Sequence, residues 1–555
     1  QASIFGGLDP AVRALLPEAE QALWVTRLYT VGDTMEAAME GAKALLRLTN
    51  GTAQEADRSY WRQAERLSLR ESFALASVSR ILQGQADLED QVRAAQTAQA
   101  LGQGEWYETA VRRLSSEAQA RSRQTALLER LAEDAEFPLQ TRLFHACHLL
   151  SGGSRRDAED PGYVRLNGKM FQAARPGETS GAMRAESVEV ALPVRVNFGG
   201  GWSDTPPYCL ERGGTVLNAA LTLDGALPMR AWARRLDEPV VRIVSEDLQR
   251  SMDFTDMEEL RKLGDPHDPF ALGKAVLAAC GLVPVEKNRP EACFGSDRDA
   301  LPFDRWGGGL LLGTASRLPK GSGLGGSSIL AASAIRAVLQ LFGMPDDNQR
   351  VMELTLCVEQ LMTTGGGWQD QAGALYPGLK LIKSRPGLRQ ELTVQTLRLP
   401  AETWSELDSR LSFLYTGQRR LARNILREIT DKMVESEPQT LRILDEIQRL
   451  AVLMAYELER GEVTRFARLL SEHWALSKAL DPGSTNTCID QMIRVCEDLV
   501  DGAMICGAGG GGFLTLLRKS GVTEEELALR LNQVFQDSGV ALWRCRLIRE
   551  EGYDG

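Results

Sequence analysis

The stretch Pro319-Lys320-Gly321-Ser322-Gly323-Leu324-Gly325-Gly326-Ser327-Ser328 runs straight into the apolar, helix-forming segment Ile329 to Phe342. Its glycines let the backbone adopt positive φ and approach a ligand closely. Their amides, with the positive end of the helix that follows, make a site for anions such as phosphate groups. The serine hydroxyls add partners for phosphate oxygen or a magnesium ion. A Walker-type loop requires Gly-Lys-[Ser/Thr], but Gly326 is followed by Ser327, so the phosphate-contacting lysine is missing. Gly321, Gly323 and Gly326 also match a dinucleotide-binding GxGxxG in letter. However, Pro319-Lys320 part it from the preceding strand, and no acidic residue ends a second strand about 20 residues on. A glycine turn with a capped helix is the bland alternative.

Three further stretches surround this one. Glu359-Gln-Leu-Met-Thr-Thr-Gly-Gly-Gly-Trp-Gln-Asp370-Gln371 predicts a helix over about 348–362 that carries Glu359 near its end. Glycines then break it, and Asp370 is expected on a turn. One carboxylate could serve Mg²⁺ and the other face an acceptor hydroxyl, as a kinase site needs. Arg195-Val-Asn197-Phe-Gly-Gly-Gly201-Trp202-Ser203-Asp204-Thr-Pro-Pro207 runs from a strand into a glycine loop. Asp204 could accept hydrogen bonds from sugar hydroxyls and Arg195 could stabilise phosphoryl charge. Cys506-Gly-Ala-Gly-Gly-Gly-Gly512-Phe513 sets four consecutive glycines between two strands. Their entropic cost is explained by close approach to a ligand or another chain segment.

Apolar residues at Val188, Val190, Leu192, Val194, Val196 and Phe198 predict a strand, with Pro193 marking an edge or a bulge. Late strands are expected at Ala503–Cys506, Phe513–Leu517 and Val540–Ile548. Strands and helices mix from here to the C-terminus, so this part reads as α+β. Upstream, Glu105 to Ser151 contains no glycine and one proline, Pro138, and apolar residues recur at helical spacing; farther back, Phe73, Ser77 and Ile81 lie four apart. The first ~150 residues read as a helical domain, and Gly152 to Ala182 as a linker. His145 and His148 flank Cys147 in a helical stretch and could face one metal, but no further ligands lie nearby and an ordinary helix end is the better reading.

The chain has 555 residues, 43% hydrophobic and 25% charged, which is a soluble globular mix of several domains. Lys plus Arg number 64 against 75 Asp plus Glu, for a net charge of −11. That balance argues against non-specific binding of nucleic acid or anionic membrane, and no apolar run reaches the ~20 residues of a membrane helix. The nine cysteines are scattered without a CxxC pair, the pattern of reduced thiols in a cytoplasmic protein.

Taken together and in order, the four stretches resemble the GHMP kinase superfamily, and within it the fucokinases. Gly-Gly-Trp202-Ser-Asp204-Thr-Pro-Pro, Thr-Thr-Gly365-Gly-Gly-Trp368-Gln-Asp370-Gln, and Tyr415-Thr-Gly417 followed by Arg420-Leu-Ala-Arg423-Asn carry the second likeness. The resemblance implies an α+β, two-domain GHMP kinase fold: a ribosomal S5 domain 2-like lobe over 186–388 and a ferredoxin-like lobe over 389–555. An all-helical domain at 1–151 and a linker at 152–185 precede them.

It further implies ATP and Mg²⁺. Pro319, Gly321, Ser322, Gly323, Leu324, Gly325, Gly326, Ser327 and Ser328 would hold the ATP phosphates, with Ser327 and Glu359 at the metal and Ser328 the alternative serine. Asp370 and Arg195 would be catalytic, and Trp202, Asp204, Gly367, Gly510 and Gly511 would meet the sugar. The implied reaction moves the γ-phosphoryl of ATP to the 1-hydroxyl of L-fucose. A heptose 7-phosphate is the competing acceptor; Arg212 and Arg230 would be its spare cations. A non-catalytic nucleotide-binding scaffold is the third reading, and a NAD-dependent oxidoreductase fails on the missing ribose-binding acid. The partners are a small sugar and ATP, with the N-terminal helices offered as a homo-oligomer surface. Residues 1–187 hold no GxGTR-type loop, so the chain is either kinase alone or joined to a nucleotidyltransferase upstream of Gln1.

Overall fold

The computed structural model describes residues 9–14, 16, 24–75, 78–155, 157, 159–174, 181–263, 265, 268–284, 301–362, 365–418, 423–536 and 538–549. Ser77, Cys293, Thr363, Thr364 and the run Arg420-Leu-Ala lie outside them, as does the side chain of Ile81. The chain divides into two compact units, Gln1–Val92 and Arg93–Gly555.

The first unit is not all helical. Strands β1 (Arg27–Thr30) and β2 (Arg66–Ser68) pair antiparallel beside helices Met35–Thr49 and Glu55–Gln63. Leu28, Leu48 and Trp61 form its small core, and the Trp61 indole donates to the Leu28 carbonyl at 3.0 Å. A sheet of two such short strands leaves little periodicity to read, which is why helical spacing dominated the expectation.

In the second unit the strands are β3 (Ser187–Leu192), β4 (Val194–Gly199), β5 (Thr215–Leu223), β6 (Met229–Leu236), β7 (Val241–Ser245), β8 (Arg250–Phe254), β9 (Gly309–Ser316), β10 (Leu379–Ser384), β11 (Leu392–Thr396), β12 (Leu411–Tyr415), β13 (Val500–Ile505), β14 (Phe513–Arg518), β15 (Ala541–Trp543) and β16 (Cys545–Leu547). One sheet has the order β3-β6-β9-β7-β8, with β7 and β9 parallel and its other pairs antiparallel. In a second, β5 pairs with β4, β10 and β16, and β11 lies beyond β10. A third, antiparallel, has the order β13-β14-β12-β15.

The alternating run 188–198 is thus two strands in two sheets. Pro193, which has no N–H to give a ladder, marks the break. The expected strand 540–548 divides likewise at Arg544. Helix Gly326–Leu341 packs on β6 and β3, with Ile329, Ala332, Ile335 and Leu339 fully buried.

The stretch expected as a linker holds a helix instead, Pro161–Ala173. Asp160 caps it by accepting from the Gly162 amide at 2.8 Å, and proline takes the first position, where its missing N–H costs nothing. This helix, Leu139–Leu150 and Ala118–Asp134 belong to the second unit, so the compact boundary falls near residue 92 rather than 151. His145 is paired with Asp160, and His148 with Asp157, and no group of three or more His, Cys, Asp or Glu that could hold a metal is found among the described residues. No described helix is long and apolar enough to cross a membrane.

Candidate active site

A cleft of about 820 Å³ opens in the second unit, and the stretches picked out above meet in it. Gly325, at φ 82°, is the N-cap of helix Gly326–Leu341, and no side chain caps the first turn. The first amides of a helix have no intrahelical partner, so those of Gly326, Ser327 and Ser328 are free to bind an anion. Pro319, Gly321, Ser322, Gly323 and Gly325 line the cleft with them; Leu324 does not. Its side chain is fully buried in the core and anchors the loop, because a leucine facing solvent-filled space would forgo that burial.

The loop has a second wall. A Cβ at Gly323 would lie 2.4 Å from the Cys506 carbonyl, and one at Gly512 would lie 2.4 Å from that of Ser322. The Phe513 amide donates to the Ser322 carbonyl at 3.0 Å. The second glycine run is therefore backbone laid on backbone, and only Gly507 and Ala508 from it reach the cleft. Gly510 and Gly511, expected at the sugar, are buried behind it, with the Gly510 amide bonded to the Ser484 carbonyl.

Ser328, buried, donates to Glu359 Oε1 at 2.6 Å, while Ser327 is exposed one residue earlier. The helical register thus pairs Ser328, not Ser327, with the carboxylate. One hydroxyl and one carboxylate beside open amides suit a hard cation that draws its other oxygens from phosphate and water, so the residues fit Mg²⁺.

Asp370 sits in the first turn of the short helix Gln369–Leu375, not on a turn. Arg195, 3% exposed, donates to its Oδ1 from Nε at 3.0 Å and Nη2 at 2.5 Å, and from Nη1 to the Gly323 carbonyl at 2.7 Å. Oδ2 of Asp370 has no hydrogen bond among the described residues. A Cβ at Gly325 would come within 3.2 Å of the Asp370 side chain, which places this carboxylate over the helix start.

Asp204 is fully buried at the cleft wall and accepts from the Gln369 amide at 3.0 Å and from Gln369 Nε2 at 2.9 Å. Burial first, and the Asp370 charge second, push its carboxyl up to about 7. Gly367 is packed against it: a Cβ there would stand 2.1 Å from Asp204 Oδ2. Trp202, at φ 82°, also lines the cleft.

Four residues escaped the sequence reading. Asn197 Oδ1 and Gln369 Oε1 are buried, unpartnered acceptors on cleft-lining residues, suited to hydroxyl donors. His473 Nε2 accepts from the Gly200 amide at 3.0 Å and so holds the glycine turn; burial drives its ring down to about 4. Lys380 is fully buried and donates to the carbonyls of Gly373 and Gly378 at 2.7 and 3.1 Å, steadying the end of the Asp370 helix. Burial holds its amine well below the usual range. Nothing local in the sequence marks such residues. The spare cations Arg212 and Arg230 do not line the cleft: they pair with Asp445 and Glu189.

Residues 298–378 match the GHMP kinases N terminal domain. The chain is 34% identical to the bifunctional fucokinase/GDP-fucose pyrophosphorylase of Arabidopsis thaliana over 386 residues, 70% of the chain and 34% of that protein. It is 33% identical to the L-fucokinase/L-fucose-1-P guanylyltransferase of Bacteroides fragilis over 356 residues, 62% of the chain and 36% of that protein. With the D-glycero-alpha-D-manno-heptose 7-phosphate kinase of Campylobacter jejuni it shares 25% over 333 residues, 59% of the chain and 88% of that protein. The matched region spans about a third of the length of the first two relatives. The glycine loop, its helix and the acidic stretch that follows lie inside the residues that match the GHMP kinases N terminal domain.

Proposed function

We propose that the protein is an ATP-dependent sugar kinase that phosphorylates L-fucose at its 1-hydroxyl, releasing L-fucose 1-phosphate and ADP. The observation that carries this reading is the meeting of an uncapped helix start, a Ser328–Glu359 pair and the Arg195–Asp370 pair in one cleft. Phosphoryl transfer needs positioning and charge stabilisation more than covalent chemistry. The amides of residues 326–328 and the 321–323 loop hold the ATP phosphates. Ser328 and Glu359 hold Mg²⁺, which when bound neutralises charge on the phosphate oxygens. Arg195 keeps Asp370 in place, and Oδ2 of Asp370 receives the hydrogen of the acceptor hydroxyl. Asp204, Asn197 and Gln369 offer acceptors to the remaining sugar hydroxyls, with Trp202 beside them.

The choice of L-fucose rests on the names of the two relatives above 30% identity. In this reading 186–388 is the S5-like lobe. Residues 389–555 form the ferredoxin-like lobe, supported by the order β13-β14-β12-β15 in a β-α-β-β-α-β chain. The same relatives support a nucleotidyltransferase partner domain. A heptose phosphate would bring a dianion. Among the described residues only Arg195, engaged by Asp370, and Lys320 give the cleft a cationic side chain.

The test is ADP release with Mg-ATP against L-fucose, D-arabinose, D-galactose, D-mannose and a D-heptose 7-phosphate. Turnover with L-fucose, or with its analogue D-arabinose, is expected. Turnover with the heptose phosphate alone would move the acceptor, and ATP binding without turnover on any sugar would leave the scaffold reading.

A further inference from the structure

The helices between residues 93 and 174 have no part in the chemistry above, yet they hold a dense buried charge network against one wall of the cleft. That wall is helix Arg423–Val434. Leu426 from it lines the cleft beside Gly365, and Ile429 and Met433 pack with Trp202 and Tyr208 in one apolar cluster. The adjoining face carries Arg427 and Asp431, four residues apart, with Glu435 just beyond. All three are gripped from the N-terminal side. Tyr163 donates to Asp431 Oδ1 at 2.7 Å, and the Arg427 guanidinium stacks 3.7 Å above the Tyr163 ring. His145 joins Asp160 at 2.6 Å to Glu435 at 3.4 Å, and Arg155 reaches Glu435 at 2.6 Å.

We propose that the helices of residues 93–174 are a positioning element of the acceptor site: through Tyr163, His145 and Arg155 they fix helix Arg423–Val434, and with it the Leu426 and Trp202 wall against which the sugar lies. The inference rests on the kinase reading and adds a role for this segment. The geometry explains why so many ionisable groups are buried together: a charge in low dielectric is tolerated only with its partner in place. The network therefore admits one arrangement of the helix, whereas apolar packing alone would let it slide.

The test uses the full chain with Tyr163→Phe, Asp431→Asn and the double variant. Tyr163→Phe keeps the ring under Arg427 and removes only the hydroxyl. KM for the sugar should rise about tenfold in each single variant, the scale of one lost hydrogen bond to a charged group. KM for ATP and kcat should stay within about twofold, and the double variant should be no worse than the worse single one. Hydrogen exchange of the 426–434 amides should quicken in the same variants. Unchanged sugar KM, or a rise of both KM values together with a fall in kcat, would overturn the proposal. Should the wild-type chain turn over no sugar, the kinase reading alone falls and exchange decides: faster exchange in Tyr163→Phe upholds the clamp, and equal exchange overturns it.

Discussion

Asp370 and Arg195 illustrate how much one pair must do. Both Arg195 contacts with Asp370 fall on Oδ1, so the guanidinium fixes one carboxylate oxygen and leaves Oδ2 without a hydrogen bond among the described residues. On the proposed mechanism, replacing Asp370 with Asn removes the charge that receives the hydroxyl hydrogen, and it leaves the buried Arg195 short of its counter-ion. We expect kcat to fall about 10²–10⁴-fold with ATP affinity retained, measured by steady-state ADP release and nucleotide titration. The two serines separate by environment. Ser328→Ala should lower kcat at least about tenfold and raise the Mg²⁺ concentration needed, while Ser327→Ala should do less; a Mg²⁺ titration of both variants checks this. Asp204 carries a stability cost. Its folded pKa of about 7 stands above the ordinary 3.8, so the stabilisation present at low pH is lost as pH rises through 7. Asp204→Asn should gain on the wild type by about 2–4 °C in Tm between about pH 5 and pH 8, while its sugar KM rises. Thermal melts at both pH values and sugar kinetics test this.

Two glycine segments from distant parts of the chain form one element of the site. The 321–323 loop and the 507–512 run lie backbone to backbone, and each excludes a Cβ from the other. Gly512 has φ +87° as well as the Ser322 carbonyl 2.4 Å from its absent Cβ. Gly512→Ala should therefore cost about 1–3 kcal/mol, part strain and part displacement of the loop. The loop displacement should show as a higher KM for ATP, whereas sugar KM should change little. Equal effects on both substrates would mean that the run also shapes the acceptor end. Gly510 and Gly511 looked from the sequence like ligand contacts because four successive glycines fit that use as well as chain packing. Only the neighbour each backbone meets separates the two.

Across the whole molecule, the His145 network links stability to pH. Burial alone would depress this ring, but hydrogen bonds with Asp160 and Glu435 outweigh it and raise the pKa to about 9. The folded value lies above the 6.5 of an unfolded histidine, so the stabilisation is complete below 6.5 and disappears as pH rises through 9. The stability difference between wild type and His145→Gln should thus shrink by about 1–3 kcal/mol across that window, read from urea melts at either end. An unchanged difference would mean that the ring is neutral in the folded protein.

By itself the sequence determined the glycine loop, the helix after it, the acidic pair Glu359 and Asp370, and the α+β character of the chain from about residue 186. These follow from local rules: which residues tolerate positive φ, where apolar residues repeat, and which side chains can carry charge. Tertiary structure decided the rest. It split the 188–198 run between two sheets, placed Ser328 rather than Ser327 on Glu359, and drew Leu324 inward and Gly510 and Gly511 away from the cleft. It also recruited Asn197, His473, Gln369 and Lys380, and bound residues 93–174 to helix Arg423–Val434 through His145, Tyr163 and Arg155. The reason is the range of the interactions. A turn or a helical period is complete within a few residues, whereas a buried hydrogen bond or ion pair such as His145 with Glu435 joins positions 290 residues apart and exists only once the chain has closed.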